Sequence, residues 1–290
     1  MSGKLVILAG GISSRMRRPA GNDLQVEHRL LQDADRKAKS MIGVGQNFRP
    51  FLDYLLYNAG LAGYTDILIV IGEKDSSIRE YYGPKDDNNH FGNLLISYAV
   101  QKIPQGRVKP LGTADALYQA LIARPDWEGQ HFTVCNSDNL YSVNALSLML
   151  SHKYQNAMID YDRRALQFPA ERIQEFGITK KDRDGFLMDI VEKPTAEQIQ
   201  KASQPDGFVG VSMNIFSLSY DMIFNYLENV PLHPVRQEKE LPQAVVNMVK
   251  DHPKSVYCFP VAEHVPDLTD KGDIPVVKQF IEINFRNLQF

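Results

Sequence analysis

The stretch KLVILAGGISSRMRR, residues 4–18, decides how the rest of the chain is read. An apolar run over residues 5–9 stops abruptly at Gly10 and Gly11 and gives way to Arg15, Arg17 and Arg18. The run alternates too little for a half-exposed strand, so it reads as a strand buried on both faces, the pattern of a parallel sheet in an α/β protein. Two residues without Cβ atoms let the chain turn sharply and let a ligand approach backbone N–H groups, while Ser13 or Ser14 can cap the helix expected next. A helix start attracts phosphate, and fixed arginines beside it suit a polyanion such as a nucleoside triphosphate. The same residues also fit an ordinary strand-to-helix turn with solvated arginines, for the stretch is neither G-x-G-x-x-G nor a Walker A loop.

Outward from the turn, residues 19–38 are polar and broken by Pro19 and Gly21, the composition of a surface excursion. Residues 49–59 place Phe51, Leu52, Leu55 and Leu56 at helical spacing; Gly60 and Gly63 should end that helix before a strand at 66–71, closing a βαβ unit. A strand at 94–100 follows, then a helix at 113–123 whose start, Gly112-Thr113, again offers backbone N–H groups. A buried strand at 131–135 runs into Asn136-Ser137-Asp138-Asn139, polar residues at the carboxyl end of a strand, where open α/β sheets place ligands. Helix 142–152 and strand 157–162 come next. Strands at 176–179, 185–191 and 207–216, separated by charged turns, then suggest a more antiparallel region that could recognise a second substrate. Helices at 221–228 and 241–249 flank HPVRQEKE (233–240), read as an exposed loop. Strand 255–261 and helix 276–284 close the pattern.

At 290 residues with 43% hydrophobic content the chain can bury a large core, and it reads as a single α/β domain over residues 1–290. The expected fold is a mostly parallel, Rossmann-like central sheet with a smaller mixed β region. A net charge of -3, from 32 basic and 35 acidic residues, gives no bulk attraction to nucleic acid or to an anionic membrane, so any anion site must be local. No signal-peptide layout opens the chain and no apolar run reaches bilayer length, which leads us to expect a soluble, cytoplasmic protein. Cys135 and Cys258 each sit in an apolar stretch and read as buried free thiols.

Three features converge on phosphate chemistry: the glycine turn with Arg15, Asp138 at a strand end, and Glu192-Lys193-Pro194 at the end of another strand. Asp138 is a hard oxygen ligand of the kind magnesium takes together with substrate phosphates. Taken alone, Asp138 could equally cap a turn, and Glu192 with Lys193 would be a solvated surface pair.

Taken together, these residues resemble the sugar-phosphate nucleotidylyltransferases, which join a nucleoside triphosphate to a sugar 1-phosphate. LAGGISSRM is similar to that family's L-A-G-G-x-G-T-R-L, and the segment from Lys39 onward to its P-K-P-L element. GRVKPLGTADAL resembles its L-G-T-A-x-A-L, CNSDN its N-G-D metal site, VEKP its E-K-P, VSMNIFSLS its N-x-G-I-Y strand, and HVPDLTDKGDI its late W-x-D-x-G-T. The resemblance implies a fold of the nucleotide-diphospho-sugar transferase type. It also implies nucleotide contacts at Ala9, Gly10, Gly11, Ser14, Gly112 and Thr113, with Gln101 reading the base. Arg15 and Lys39 would hold the departing pyrophosphate, Lys193 would grip the sugar phosphate, and Glu192 and Asn214 would contact the sugar. Mg2+ would sit on Asp138 and Asp267.

The departures from the signatures are specific. Ser13 stands for a glycine, Ala38 and Ser40 for the prolines around Lys39, Ser137 for the glycine before Asp138, and Asn214 for a glycine; the late tryptophan is absent. Base and sugar identity do not transfer. The same apparatus would also serve a cytidylyltransferase for a non-sugar phosphate such as phosphocholine, and the departures suit a nucleotide-sugar binding or regulatory protein without turnover. The implied partners are a nucleoside triphosphate and a sugar 1-phosphate, not nucleic acid or membrane, and a homo-oligomer is left open. Residues 17–37, charged and lying between the turn and Lys39, are expected as a flap over the triphosphate. The alternative is an ordered excursion whose Leu24, Val26, Leu30 and Leu31 form an apolar helical face packed on a neighbouring subunit.

Overall fold

A computed structural model describes residues 3–19 and 26–286. Its elements, in chain order, are β1 (Gly3–Ala9), α1 (His28–Arg36), α2 (Phe51–Ala62), β2 (Tyr64–Gly72), α3 (Ser77–Tyr82), β3 (Asn89–Phe91) and β4 (Leu94–Gln101). Then come α4 (Thr113–Ala123), β5 (His131–Asn136), α5 (Val143–Ser151), β6 (Asn156–Asp162), α6 (Ala170–Gln174), β7 (Ile178–Lys181), β8 (Leu187–Val191) and α7 (Ala196–Ala202). The last are β9 (Gly210–Val211), β10 (Phe216–Ser219), α8 (Tyr220–Asn229), α9 (Leu241–Asp251), β11 (Val256–Val261) and α10 (Asp273–Asn284). The fold is α/β, with parallel central strands and a mixed β region, as expected. The chain divides into two compact units, the first built from residues up to 110, 136–143 and 266 onward, the second from 111–135 and 144–265.

In the first unit the strand order is β3-β4-β2-β1. β1 and β4 each run parallel to β2, and β3 is an antiparallel edge. Val6 and Ile7 of β1 and Leu68 and Ile69 of β2 are wholly buried, which is why the run shows no alternation. Each such side chain is worth about 1.5–3 kcal/mol relative to exposure. α2 ends at Gly63, which takes the left-handed conformation (φ 100°) and donates back to Ala59 and Gly60; Gly60 itself lies inside the helix rather than ending it. The polar stretch at 19–38 is not all surface excursion, because it contains α1, whose Leu30 and Ala34 are buried. Leu30 belongs to the apolar helical face considered above as the alternative to a flap, and it faces the protein's own first unit.

In the second unit the order is β5-β10-β6-β9-β7-β8, antiparallel throughout, with β11 parallel to β6. The strand expected at 207–216 is broken into the two-residue β9 and the start of β10. Asn214 lies between them at φ 56°, a left-handed backbone that cannot continue a ladder. α4 occupies the expected residues. Both cysteines are buried free thiols, and among the described residues no helix is long and apolar enough to cross a membrane.

Candidate functional site

In the first unit the β1 turn forms one wall of a pocket of about 130 Å3, lined by Ala9, Gly10, Gly11, Ser13, Arg17 and Gln101 among others. Gln101, 3% exposed, packs directly on Gly10: a Cβ there would stand 2.7 Å from Gln101 Oε1. The glycine is therefore fixed by close approach, and Gln101 lies against the turn. Ser13, where the signature has glycine, is buried and held at φ 54°. The side chain differs but the left-handed backbone is retained, at about 1–2 kcal/mol for a residue with a Cβ.

The helix expected after Ser13 or Ser14 is a single turn, closed by Arg17 N–H to Ser13 O (3.1 Å) and Arg18 N–H to Arg15 O (3.2 Å). Pro19 stops it, since proline lacks a donor and disfavours helical geometry in the residue before it. Met16 is buried and anchors the turn, while Ser14 and Arg15 stay exposed.

Lys39 opens a short 3-10 helix (Lys39–Met41), and its Nζ pairs with Asp138 Oδ2; the two side chains are 20% and 18% exposed. The Asp138 segment is pinned to the end of β1 by Ser137 N–H to Leu8 O, 3.1 Å. On its other side Leu268 N–H donates to Asp138 O (2.9 Å), Leu140 N–H to Pro266 O (2.9 Å), and Asn139 bridges Asp267. Asp138 and Asp267 thus hang from neighbouring antiparallel segments, with Asp267 accepting the Thr269 hydroxyl on both carboxylate oxygens at 3.0 Å. Among the described residues no three potential ligands of the His, Cys, Asp and Glu types cluster as a ready cage. A cation here would draw on hard carboxylate oxygens together with ligand oxygens, the set magnesium accepts.

Residues 20–25 of the expected flap, Asp23 and Leu24 included, lie outside the described residues. The part from Glu27 to Arg36 is tied to its own unit. Asp33 accepts Gly43 N–H at 3.2 Å, Asp35 pairs with Lys271 at 2.6 Å, and Glu27 pairs with Lys278.

In the second unit, Gly112 starts α4 at φ 105°, and a Cβ there would meet Lys239 O at 2.6 Å. The helix start is less open than expected, because Ala114 N–H donates to Lys239 O (3.0 Å) and the Thr113 hydroxyl accepts Leu241 N–H (2.9 Å). Glu192 follows β8 and faces Gly177, where a Cβ would come within 3.0 Å of its Oε1. Lys193 is held at φ 47° and pairs with Glu175 at 3.2 Å. Arg236 lies 3.9 Å from Glu192 and 2.6 Å from Glu240. Water displaced by the surrounding protein pushes the Glu192 carboxyl above its ordinary range, with Arg236 opposing.

Sequence reasoning missed Arg236, because HPVRQEKE has the composition of a solvated loop. That loop is ordered by His233 Nδ1, which accepts the N–H groups of Val235 (3.2 Å) and Arg236 (3.1 Å). A histidine two and three residues before those donors is the only local trace of it.

Comparison with known proteins bears on the family and the fold. A glucose-1-phosphate adenylyltransferase of Anaeromyxobacter dehalogenans (strain 2CP-C) is 29% identical over 181 residues, covering 59% of this chain and 41% of that protein. Glucose-1-phosphate adenylyltransferase 1 of Vibrio vulnificus (strain YJ016) is 26% identical over 225 residues, 77% of this chain and 51% of that protein. The chain spans about half the length of these relatives or less. Among solved structures, a UDP-glucose pyrophosphorylase complexed with UDP-glucose superposes with a TM-score of 0.70 at 18% identity, covering 98% of this chain and 99% of that one. UDP-glucose pyrophosphorylase from Acinetobacter baumanii gives 0.68 at 19% identity, covering 99% and 96%. At that identity the likeness concerns the fold. The family model described as nucleotidyl transferase matches residues 28–263, beginning beyond the glycine turn. A match over that much of a 290-residue chain, on this fold, shows that the chain belongs to the nucleotidyl transferase family.

Proposed function

We propose that the protein transfers a nucleoside monophosphate from a nucleoside triphosphate to a sugar 1-phosphate, releasing pyrophosphate. The observation that carries this reading is the meeting of Lys39 with Asp138 beside the end of β1. Distant parts of the sequence bring a cation and a hard carboxylate to the unit that holds the glycine turn. Adenylyl transfer to glucose 1-phosphate in the named relatives supports the reaction class.

In this reading an oxygen of the acceptor phosphate bonds to the α-phosphorus while the bond to pyrophosphate breaks. The reaction is slow chiefly through repulsion between anions and misalignment, so cations and positioning supply most of the acceleration. Backbone N–H groups at Gly10 and Gly11, with Ala9 and Ser14 beside them, hold the triphosphate, and Gln101 meets the base. In the second unit, Gly112 and Thr113 are the nucleotide-contact candidates of this reading. Arg15 and Lys39 neutralise the departing pyrophosphate. Lys193 holds the acceptor phosphate, and Glu192 and Asn214 accept and orient the sugar hydroxyls. Asp138, with Asp267 on the neighbouring segment, would hold Mg2+, which when bound neutralises charge on phosphate oxygens. A cytoplasmic location belongs to the same proposal, since nucleoside triphosphates and sugar phosphates are cytoplasmic metabolites.

Two of the signature departures, Ser13 and Asn214, hold left-handed conformations that a glycine would take, which supports retained turnover at those positions. The test is pyrophosphate release from a panel of four nucleoside triphosphates crossed with sugar 1-phosphates and phosphocholine. Release with a sugar 1-phosphate is the expected result. Release with phosphocholine alone would replace the acceptor class, and binding of a nucleotide sugar without any release would favour the regulatory reading.

A further inference from the structure

The second unit contains a larger cavity, of about 980 Å3, that none of the residues assigned above lines. It lies at the turn end of the β7–β8 hairpin, whereas Gly177 and Glu192 flank the opposite end of the same hairpin. Five cations line it, Lys180, Lys181, Arg183, Lys201 and Lys250, against three carboxylates, Asp182, Asp189 and Asp206.

The carboxylates are largely committed. Asp182 accepts the N–H groups of Asp184 (3.0 Å) and Phe186 (2.8 Å), Asp206 accepts that of Phe208 (3.0 Å), and Asp189 faces Lys180 at 3.8 Å. Lys181 is held from behind by the wholly buried Asp160, which also accepts the Thr179 hydroxyl at 2.6 Å. Gly210 leaves room for that pair, since a Cβ there would stand 1.9 Å from Asp160 Oδ1. Arg183 and Lys250 are exposed and have no carboxylate within ion-pair distance among the described residues. Met188, 56% exposed, with Phe208 and Tyr257, gives the wall an apolar side.

We infer that this cavity is a second ligand site, for a small multivalent anion carried on a partly apolar body. Lys201 is paired with Glu197 at 2.6 Å, so the cations that such a ligand would neutralise are Arg183 and Lys250, and the size is that of an ordinary small-molecule pocket.

Its position also links it to the E-K-P element. β8 runs from the cavity, where Met188 and Asp189 line it, into Glu192 and Lys193. α7 starts directly after that element, on a capping box between Thr195 and Gln198, and returns to the cavity at Lys201 and Ala202. α9 begins at Leu241, bonded to Thr113, and reaches the cavity at Lys250. An anion drawing Arg183 and Lys250 together shifts β8 and α9, whose other ends carry or adjoin the proposed acceptor site. This coupling rests on the function proposed above; the binding site itself does not.

The test uses the whole protein with 13C-methyl methionine labels and two probes, inorganic tripolyphosphate and citrate, which separate phosphate from carboxylate ligands. Met188 reports on the cavity and Met16 on the phosphate turn. The expected result is a saturable shift of Met188 with a dissociation constant of about 1 mM or below for at least one probe. In an Arg183→Ala, Lys250→Ala double variant that affinity falls at least about tenfold, while the response of Met16 to tripolyphosphate is unchanged. A Met188 signal unmoved by both probes, or moved alike in the double variant, overturns the site even if the enzyme is active. In steady-state assays with citrate at saturation and free Mg2+ held constant, the acceptor KM should change at least about twofold in the unaltered protein and not in the double variant. Binding with no such change overturns the coupling.

Discussion

The glycine turn of the first unit and the Glu192-Lys193 element of the second are both proposed to hold an anion, but they are made of different material. The turn is backbone on a buried support: β1 beneath it has Val6 and Ile7 fully inaccessible, and Met16 anchors it from the other side. The E-K-P element is side chain on an exposed support, with Lys193 and Glu192 at 65% and 40% exposure and a loop, 233–240, ordering Arg236 against the carboxylate. A site made of backbone tolerates a change of residue provided the conformation survives, and Ser13 at φ 54° is such a case. A site made of side chains has no such latitude.

The sharpest way to break this contrast is Lys193→Ala. It should lower the transfer rate about a hundredfold or more, because a single placed charge is lost from a phosphoryl transition state. The surface pair with Glu175 contributes at most about 1 kcal/mol, so melting should barely move. A variant that keeps most of its rate in pyrophosphate release would remove Lys193 from the machinery.

Next in size is a pair of glycine replacements. Gly112→Ala forces a Cβ toward Lys239 O at a glycine-only backbone angle and should cost about 1–3 kcal/mol in urea unfolding. Gly11→Ala meets nothing within 4 Å and should leave stability within about 0.5 kcal/mol while weakening triphosphate binding. Equal losses of stability would show that the two glycines serve the same purpose.

Ser13→Gly should raise stability by about 0.5–1 kcal/mol, the left-handed strain relieved less the added freedom of the unfolded glycine. The rate should stay within about threefold. A destabilised variant would mean that the hydroxyl itself holds the turn.

The smallest effect is in the pH dependence. Burial raises the Glu192 carboxyl above 4.5, so between 4.5 and the raised value the folded protein binds more protons than the unfolded chain. Stability from this group is therefore lost as pH rises through that window. Affinity for the sugar phosphate moves the other way, weakening as pH falls and Glu192 becomes neutral. An acceptor KM measured from neutral to acid pH should climb in the unaltered protein and stay flat in Glu192→Gln; parallel profiles would detach Glu192 from the acceptor.

What was legible in the chain beforehand follows this same division. The β1-turn segment, the α2 pattern and α4 could be placed because their apolar spacing and glycines act over a few residues. The helix after Ser14 was overestimated because Pro19 acts one turn later than its cap. The strand at 207–216 was drawn too long because nothing in VSMNIF announces that Asn214 turns left-handed. Helix α1 was legible only as one of two readings, an apolar helical face against a flap, because spacing shows that a face exists and not what covers it.

The sequence by itself determined the α/β class, the buried strand and glycine turn, and the residue types able to handle phosphates, since these depend on local spacing and on solvation. Only the tertiary structure decided that Lys39 meets Asp138, that Asp267 comes to the segment beside it, and that the loop at 233–240 closes on Gly112 and Glu192. The physical reason is that such meetings are set by how β1, the segment after β5 and the chain after β11 pack. Packing free energy is summed over the whole core and is not carried by any one stretch of residues.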